Sequence, residues 1–209
     1  MQLIVITPDG QINDEARIVN SLFANGLQRL HVRKPSFGAG DLRKYLERLD
    51  SQWYDRVVVN SSFELYNEFK IGGIHLSSFT REDSNTWSQI ADIPPSAIST
   101  SYHGWREIED NDFSYGYVFI SPVFDSISKT GYHAAINLAG AIETKQKLAK
   151  ENEYCPSIIG LGGISTNQIE AMHRYGFDGI AMLGAIWQSE NPVKTFVELE
   201  RVVSSLQSD

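Results

Sequence analysis

Eight short apolar runs alternate with segments of helical spacing, and this alternation limits the chain to few folds. The runs fall at residues 3–7, 29–32, 56–60, 73–76, 97–100, 115–120, 157–161 and 179–182. Between the first two, Ala16, Ile18, Val19, Leu22 and Phe23 recur at helical spacing over 14–25, and Gly26 supplies a stop just beyond. Further helices are expected near 40–50, 62–69, 136–150 and 165–175. The chain closes on an amphipathic segment at 191–206, carrying Val193, Phe196, Val197, Leu199, Val202 and Val203. Strands separated by helical crossovers pair in parallel, and runs that are apolar throughout fit strands covered on both faces. Eight such units in 209 residues predict one domain, 1–209, folded as a single (β/α)8 TIM barrel. A doubly wound open sheet competes with it, but the first strand–helix turn lacks the glycine-rich dinucleotide fingerprint.

Composition removes several classes of function. With 42% hydrophobic residues the chain can bury a core, and one cysteine, Cys155, excludes a disulfide scaffold. Cys155 precedes Pro156 and reads as structural or incidental. The net charge of −8 argues against nucleic acid as a partner, because phosphate neutralisation needs a basic surface. It leaves room for a small anion bound by a few local cations. The N-terminus has neither the basic start nor the apolar length of a signal peptide, and no stretch approaches the roughly 18 apolar residues of a membrane span. A cytoplasmic protein without a membrane partner is expected, and a homo-oligomer is compatible with the chain.

A barrel of this kind places its active site at the C-terminal ends of the strands. The polar residues there are His31, Arg33 and Lys34 after the second strand, Asn60 and Ser61 after the third, and His75 on the fourth. Ser101 and His103 follow the fifth, and the long segment 121–135 follows the sixth. Gly162 and Gly163 follow the seventh strand, and Leu183 and Gly184 the eighth. Glycine turns opening into helices expose backbone N–H groups to an anion, and barrels often hold phosphate after strands seven and eight. The same glycines serve tight turns, so it is their pairing that favours phosphate. Ser126, Ser128 and Lys129 offer two hydroxyls and an ammonium within four residues, again suited to phosphate or diphosphate. Arg33 and Lys34 add positive charge from across the mouth. His31, His75 and His103 are candidate proton carriers, and the absence of neighbouring Cys, Asp or Glu at ligand spacing argues against zinc.

These motifs are ordered as in a known family. Ser121-Pro122-Val123-Phe124-x-Ser126-x-Ser128-Lys129 resembles the G-P-V-F-x-T-x-T-K loop of the thiamine phosphate synthase and TenI (thiazole tautomerase) superfamily. Gly72-Gly73-Ile74-His75-Leu76, Ser101-Tyr102-His103, Gly160–Ile164 and Gly179–Ile186 resemble its other motifs, and His31-Val32-Arg33-Lys34 resembles a degraded Q-L-R-x-K. The resemblance runs nearly end to end and implies a barrel acting on thiazole phosphate in thiamine biosynthesis. It puts His103 in the acid/base role, with Lys129 and Arg33 completing the catalytic set. It puts Lys34, Asn60, His75, Ser101, Ser126, Ser128, Gly162, Gly163, Leu183 and Gly184 around the phosphorylated substrate.

The synthase of this family joins an aminopyrimidine diphosphate to the thiazole and needs magnesium, usually held by two aspartates. Here those places fall at Ser61 and about Thr80, with Asp83 nearby, and the motif lysine falls at Pro35. The resemblance therefore leans to a tautomerase that needs no metal or other cofactor. A divergent, magnesium-dependent synthase stands close behind, favoured by the hydroxyl-rich loop. A non-catalytic thiazole-phosphate binder is the third reading.

Overall fold

The computed structural model describes residues 1–10, 12–125, 136–151 and 153–206. Eight strands close into one parallel barrel in sequence order. They are β1 (Gln2–Ile6), β2 (Arg29–Val32), β3 (Val57–Val59), β4 (Gly73–Leu76), β5 (Ile98–Tyr102), β6 (Tyr117–Ile120), β7 (Ser157–Leu161) and β8 (Gly179–Met182). Each pairs with its neighbour, and β1 closes on β8 with Leu3 opposite Ile180. The crossovers carry α1 (Glu15–Ala24), α2 (Ala39–Leu46), α3 (Leu65–Phe69), α4 (Ser78–Glu82), α5 (Ser84–Gln89), α6 (Trp105–Glu109), α7 (Gly140–Glu151) and α8 (Ile169–Arg174). The short α9 (Gly184–Trp187) and the terminal α10 (Pro192–Ser205) follow β8. None of the described helices is long and apolar enough to cross a membrane.

Strand alternation sorts the core into two bodies. Leu3, Val5, Val118, Ile120, Ile158, Ile180 and Met182 face the helices and join the large outer core. The intervening residues Ile4, Ile6, Tyr117, Phe119, Ile159 and Ala181 fill the lumen. The lumen is uneven. Its β7–β8–β1 wall is aliphatic, whereas β2, β4 and β5 contribute His31, His75 and Ser99, all buried. Contacts of His31 with Tyr117 and Phe119 join β2 to β6, strands that do not pair, so these rings meet across the lumen.

Local chemistry explains the ends of the elements. Gly26 closes α1 at φ 104°, where a side chain would be strained, and Leu27 N–H reaches back to Leu22 O at 3.0 Å. Asn191 caps α10 by accepting from Lys194 N–H at 3.0 Å, with Pro192 in the first turn. Strand β5 runs to Tyr102, so Ser101 lies on the strand rather than after it.

Candidate functional site

The rim at the C-terminal strand ends gathers the sequence-predicted residues, but not in one role. His103 follows β5 and is exposed. Its Nδ1 lies 2.9 Å from Ser121 O. A carbonyl oxygen only accepts, so Nδ1 carries the proton and Nε2 carries the lone pair. Nε2 has no hydrogen-bond partner among the described residues, which leaves it available to take a proton.

His75 is the opposite case. It is 4% exposed, and both ring nitrogens are committed. Ser99 Oγ donates to Ile74 O at 3.2 Å, so it accepts from His75 Nδ1–H at 2.9 Å. His75 Nε2 therefore accepts from the Ser101 hydroxyl, also at 2.9 Å. Burial first, then the charges of Arg33 and Arg81, hold the imidazole down to about 3, so it is neutral near pH 7. The expected phosphate contact at Ser101 is altered by this order. Its one proton points at His75, and the oxygen turns only lone pairs toward a ligand.

His31 does not stand at the rim. It lies fully buried in the lumen, with Nε2 bonded to Tyr117 Oη. Burial, then His75 and Arg29, push its imidazole well below the ordinary range. Asn60 lies at the end of β3, and its buried Oδ1 has no hydrogen-bond partner among the described residues.

The neighbours Arg33 and Lys34 separate completely. Arg33 continues the alternation of His31, lies at the mouth half-exposed and pairs with Asp9. Lys34 continues that of Val32 and points into the outer layer, where it is 3% exposed. Its three ammonium hydrogens go to Pro8 O at 2.7 Å, Gly10 O at 2.9 Å and Glu15 Oε2 at 2.7 Å. Tyr45 Oη completes the group by donating to Glu15 Oε1 at 2.8 Å. Lys34 has no donor left for a phosphate, and the sequence expectation is corrected on that ground.

The glycine turns have a packing reason of their own. At Gly163, φ is 66°, and a Cβ would collide with Asp125 O and Phe124 O. The strand-six exit passes there, with Phe124 N–H donating to Gly162 O at 3.1 Å. Gly162 and Gly163 thus admit a neighbouring backbone at the rim. Leu183 packs against the lumen cluster. Ser126, Ser128 and Lys129 lie outside the described residues. Cys155 is half-buried, and burial pushes its thiol up, in keeping with a structural residue.

The donor set does not suit a carboxylate-held magnesium. The places that the resemblance assigns to the two aspartates fall at Ser61 and about Thr80, and Thr80 Oγ1 donates to Ser77 O at 3.1 Å. Asp83 caps α5, accepting from Asn85 N–H and Thr86 Oγ1, both at 3.1 Å. Those bonds, led by Asn85 N–H, hold its carboxyl below the usual range. Among the described residues no three His, Cys, Asp or Glu side chains are placed to hold a metal ion.

Two residues of the rim escaped sequence reasoning. Arg81 on α4 donates to Thr100 Oγ1 at 2.9 Å and to Ser101 O at 2.8 Å. Glu107 on α6 accepts the backbone N–H of His103 at 2.9 Å. Glu107 had a signal, since an acidic side chain in the first turn of a helix often reaches back to the chain entering it. Arg81 had none.

Fold and rim together define a small (β/α)8 barrel whose polar mouth carries one available histidine among the described residues. The chain belongs to the thiamine monophosphate synthase family, which it matches over residues 3–186. It is 28% identical over 144 residues to thiamine-phosphate synthase 1 of Streptococcus pneumoniae, covering 68% of this chain and 65% of that protein. It is 27% identical over 154 residues to the thiamine-phosphate synthase of Streptococcus suis, covering 73% and 64%. The chain thus spans slightly under two-thirds of the length of these curated relatives. A solved thiamine phosphate pyrophosphorylase from Bacteroides thetaiotaomicron superposes with a TM-score of 0.75 at 26% identity, covering 98% of both chains. One from Pyrococcus furiosus, at 21% identity and a TM-score of 0.74, shares the fold.

Proposed function

We propose that this protein binds a thiazole phosphate at the strand-end rim and moves a proton on it without a metal, as a thiazole tautomerase does. The observation that carries the reading is the His103 ring, whose Nδ1–H is fixed on Ser121 O while Nε2 is left to act. Nε2 takes a proton from one ring position of the substrate, and the resulting imidazolium returns it at another. Arg33 stands at the mouth to offset negative charge that develops meanwhile. The phosphate is assigned to the turns at Gly162, Gly163, Leu183 and Gly184, with the hydroxyls and ammonium of Ser126, Ser128 and Lys129. The partner in this reading is a small phosphorylated molecule, and the protein is cytoplasmic.

A second reading, a divergent synthase joining aminopyrimidine diphosphate to thiazole phosphate, is supported by the names of the relatives. Ser61 and Thr80 at the carboxylate places weigh against it. Thermal denaturation with thiazole phosphate tests the shared part of both. A ligand at a hundred times its Kd stabilises by about 2.7 kcal/mol, so a rise in Tm in EDTA is expected. No shift at millimolar ligand removes thiazole phosphate from both readings.

A further inference from the structure

His103 is held at two points, its ring by Ser121 O and its main chain by Glu107. Residue 104 between β5 and α6 is glycine, which brings no side chain to cap the helix. Glu107 sits in the first turn of α6 and reaches back past Gly104 to the His103 N–H, fixing the direction in which the chain leaves β5. Arg81 holds the other side of that junction. Its Nη1 binds Thr100 Oγ1 and Ser101 O, its guanidinium lies 4.4 Å above the Tyr102 ring, and its Nη2 is 4.0 Å from Glu107 Oε2. One arginine from α4 thus ties together the last three residues of β5 and the carboxylate that grips His103.

We infer that Glu107, steadied by Arg81, is a positioning residue that sets the His103 imidazole at the barrel mouth. The inference rests on the acid/base reading of His103 for its kinetic consequence, but not for its geometry. The Glu107 side chain is 43% exposed, so water replaces it at little cost in stability. What is lost is orientation, and a displacement of about 1 Å at a reacting group can cost up to about 10²-fold in rate.

The test uses the full chain and four proteins: wild type, E107A, E107Q and R81A. Nitrogen-15 NMR of the His103 ring, taken without substrate, reports its tautomer. Tautomerisation of the carboxythiazole phosphate reports kcat and KM. E107A is expected to lose about tenfold in kcat with KM changed less than about twofold, and to mix the ring tautomers. E107Q keeps an oxygen that accepts from His103 N–H and is expected to retain most of kcat and the single tautomer. R81A is expected to shift both readouts the same way as E107A, by less. An E107A ring and kcat like those of wild type overturn the inference, as does an E107Q protein as impaired as E107A. If the wild type turns over no thiazole while E107A still mixes the tautomers, the acid/base reading fails and the positioning role stands.

Discussion

The lumen and the rim of this barrel carry the same side chain in opposite circumstances. His75 in the lumen gives Nδ1 to Ser99 and receives Ser101 at Nε2, and His31 beside it is bonded to Tyr117. His103 at the rim spends one nitrogen on Ser121 O, and the other has no hydrogen-bond partner among the described residues. Three histidines near strand ends are therefore two buried groups and one exposed at the rim. What separates them is depth, since buried His31 also leaves a ring nitrogen, Nδ1, without a hydrogen-bond partner among the described residues. The adjacent pair Arg33 and Lys34 repeats the lesson. One cation stands at the mouth, and the other is locked between layers by Glu15.

The largest effect that sharpens this contrast is expected at the histidines. His103→Ala should lower tautomerisation by about 10²–10⁴-fold while leaving thiazole phosphate binding intact. Wild-type turnover in that variant would remove the rim histidine from the chemistry.

Lys34→Ala comes next. The Lys34 and Glu15 side chains are 1% and 6% exposed, so the variant leaves a buried carboxylate without its partner. A loss of about 3–5 kcal/mol in urea unfolding is expected. Arg33→Ala breaks only the half-exposed pair with Asp9 and should cost less than about 1 kcal/mol. Equal losses in the two variants would erase the distinction between mouth and shell.

The lumen also sets a pH dependence. In the unfolded chain a histidine takes its proton near pH 6.5, whereas folded His75 resists protonation down to about 3. The unfolded state binds more protons across that interval, so stability falls as pH falls. His75 contributes up to about 1.4 kcal/mol per pH unit there, and His31, shifted the same way, adds to it. Urea midpoints between pH 7 and 5 should show this slope, and His75→Gln should flatten it. An unchanged slope in that variant would mean that the buried imidazole is not the proton-linked group.

The barrel was legible in the sequence because its strands are buried on both faces and stand out as apolar runs. Strand ends were read to within two residues, from 56–60 to Val57–Val59 and from 97–100 to Ile98–Tyr102. The helices α4, α5 and α6 bury only Thr86 and Ile108 between them, so no apolar stripe marks them in the sequence. Two of them supply Arg81 and Glu107, so the unread part of the fold is also the unread part of the site. Lys34 follows the same strand as Arg33, but the strand alternation turns the two side chains apart, and a list of strand-end residues does not show that. The Ser126, Ser128 and Lys129 motif falls outside the described residues, and its placement at a phosphate remains part of the proposal.

The proposed chemistry is metal-independent proton transfer at the rim. Its most direct test is one assay of the purified protein with both substrate sets. The carboxythiazole phosphate is supplied in EDTA, and the aminopyrimidine diphosphate with thiazole phosphate is supplied with and without magnesium. Conversion of the carboxythiazole to its aromatic tautomer in EDTA is expected, with no magnesium-dependent coupling. Magnesium-dependent formation of thiamine phosphate at a normal rate, with no tautomerisation in EDTA, would contradict it.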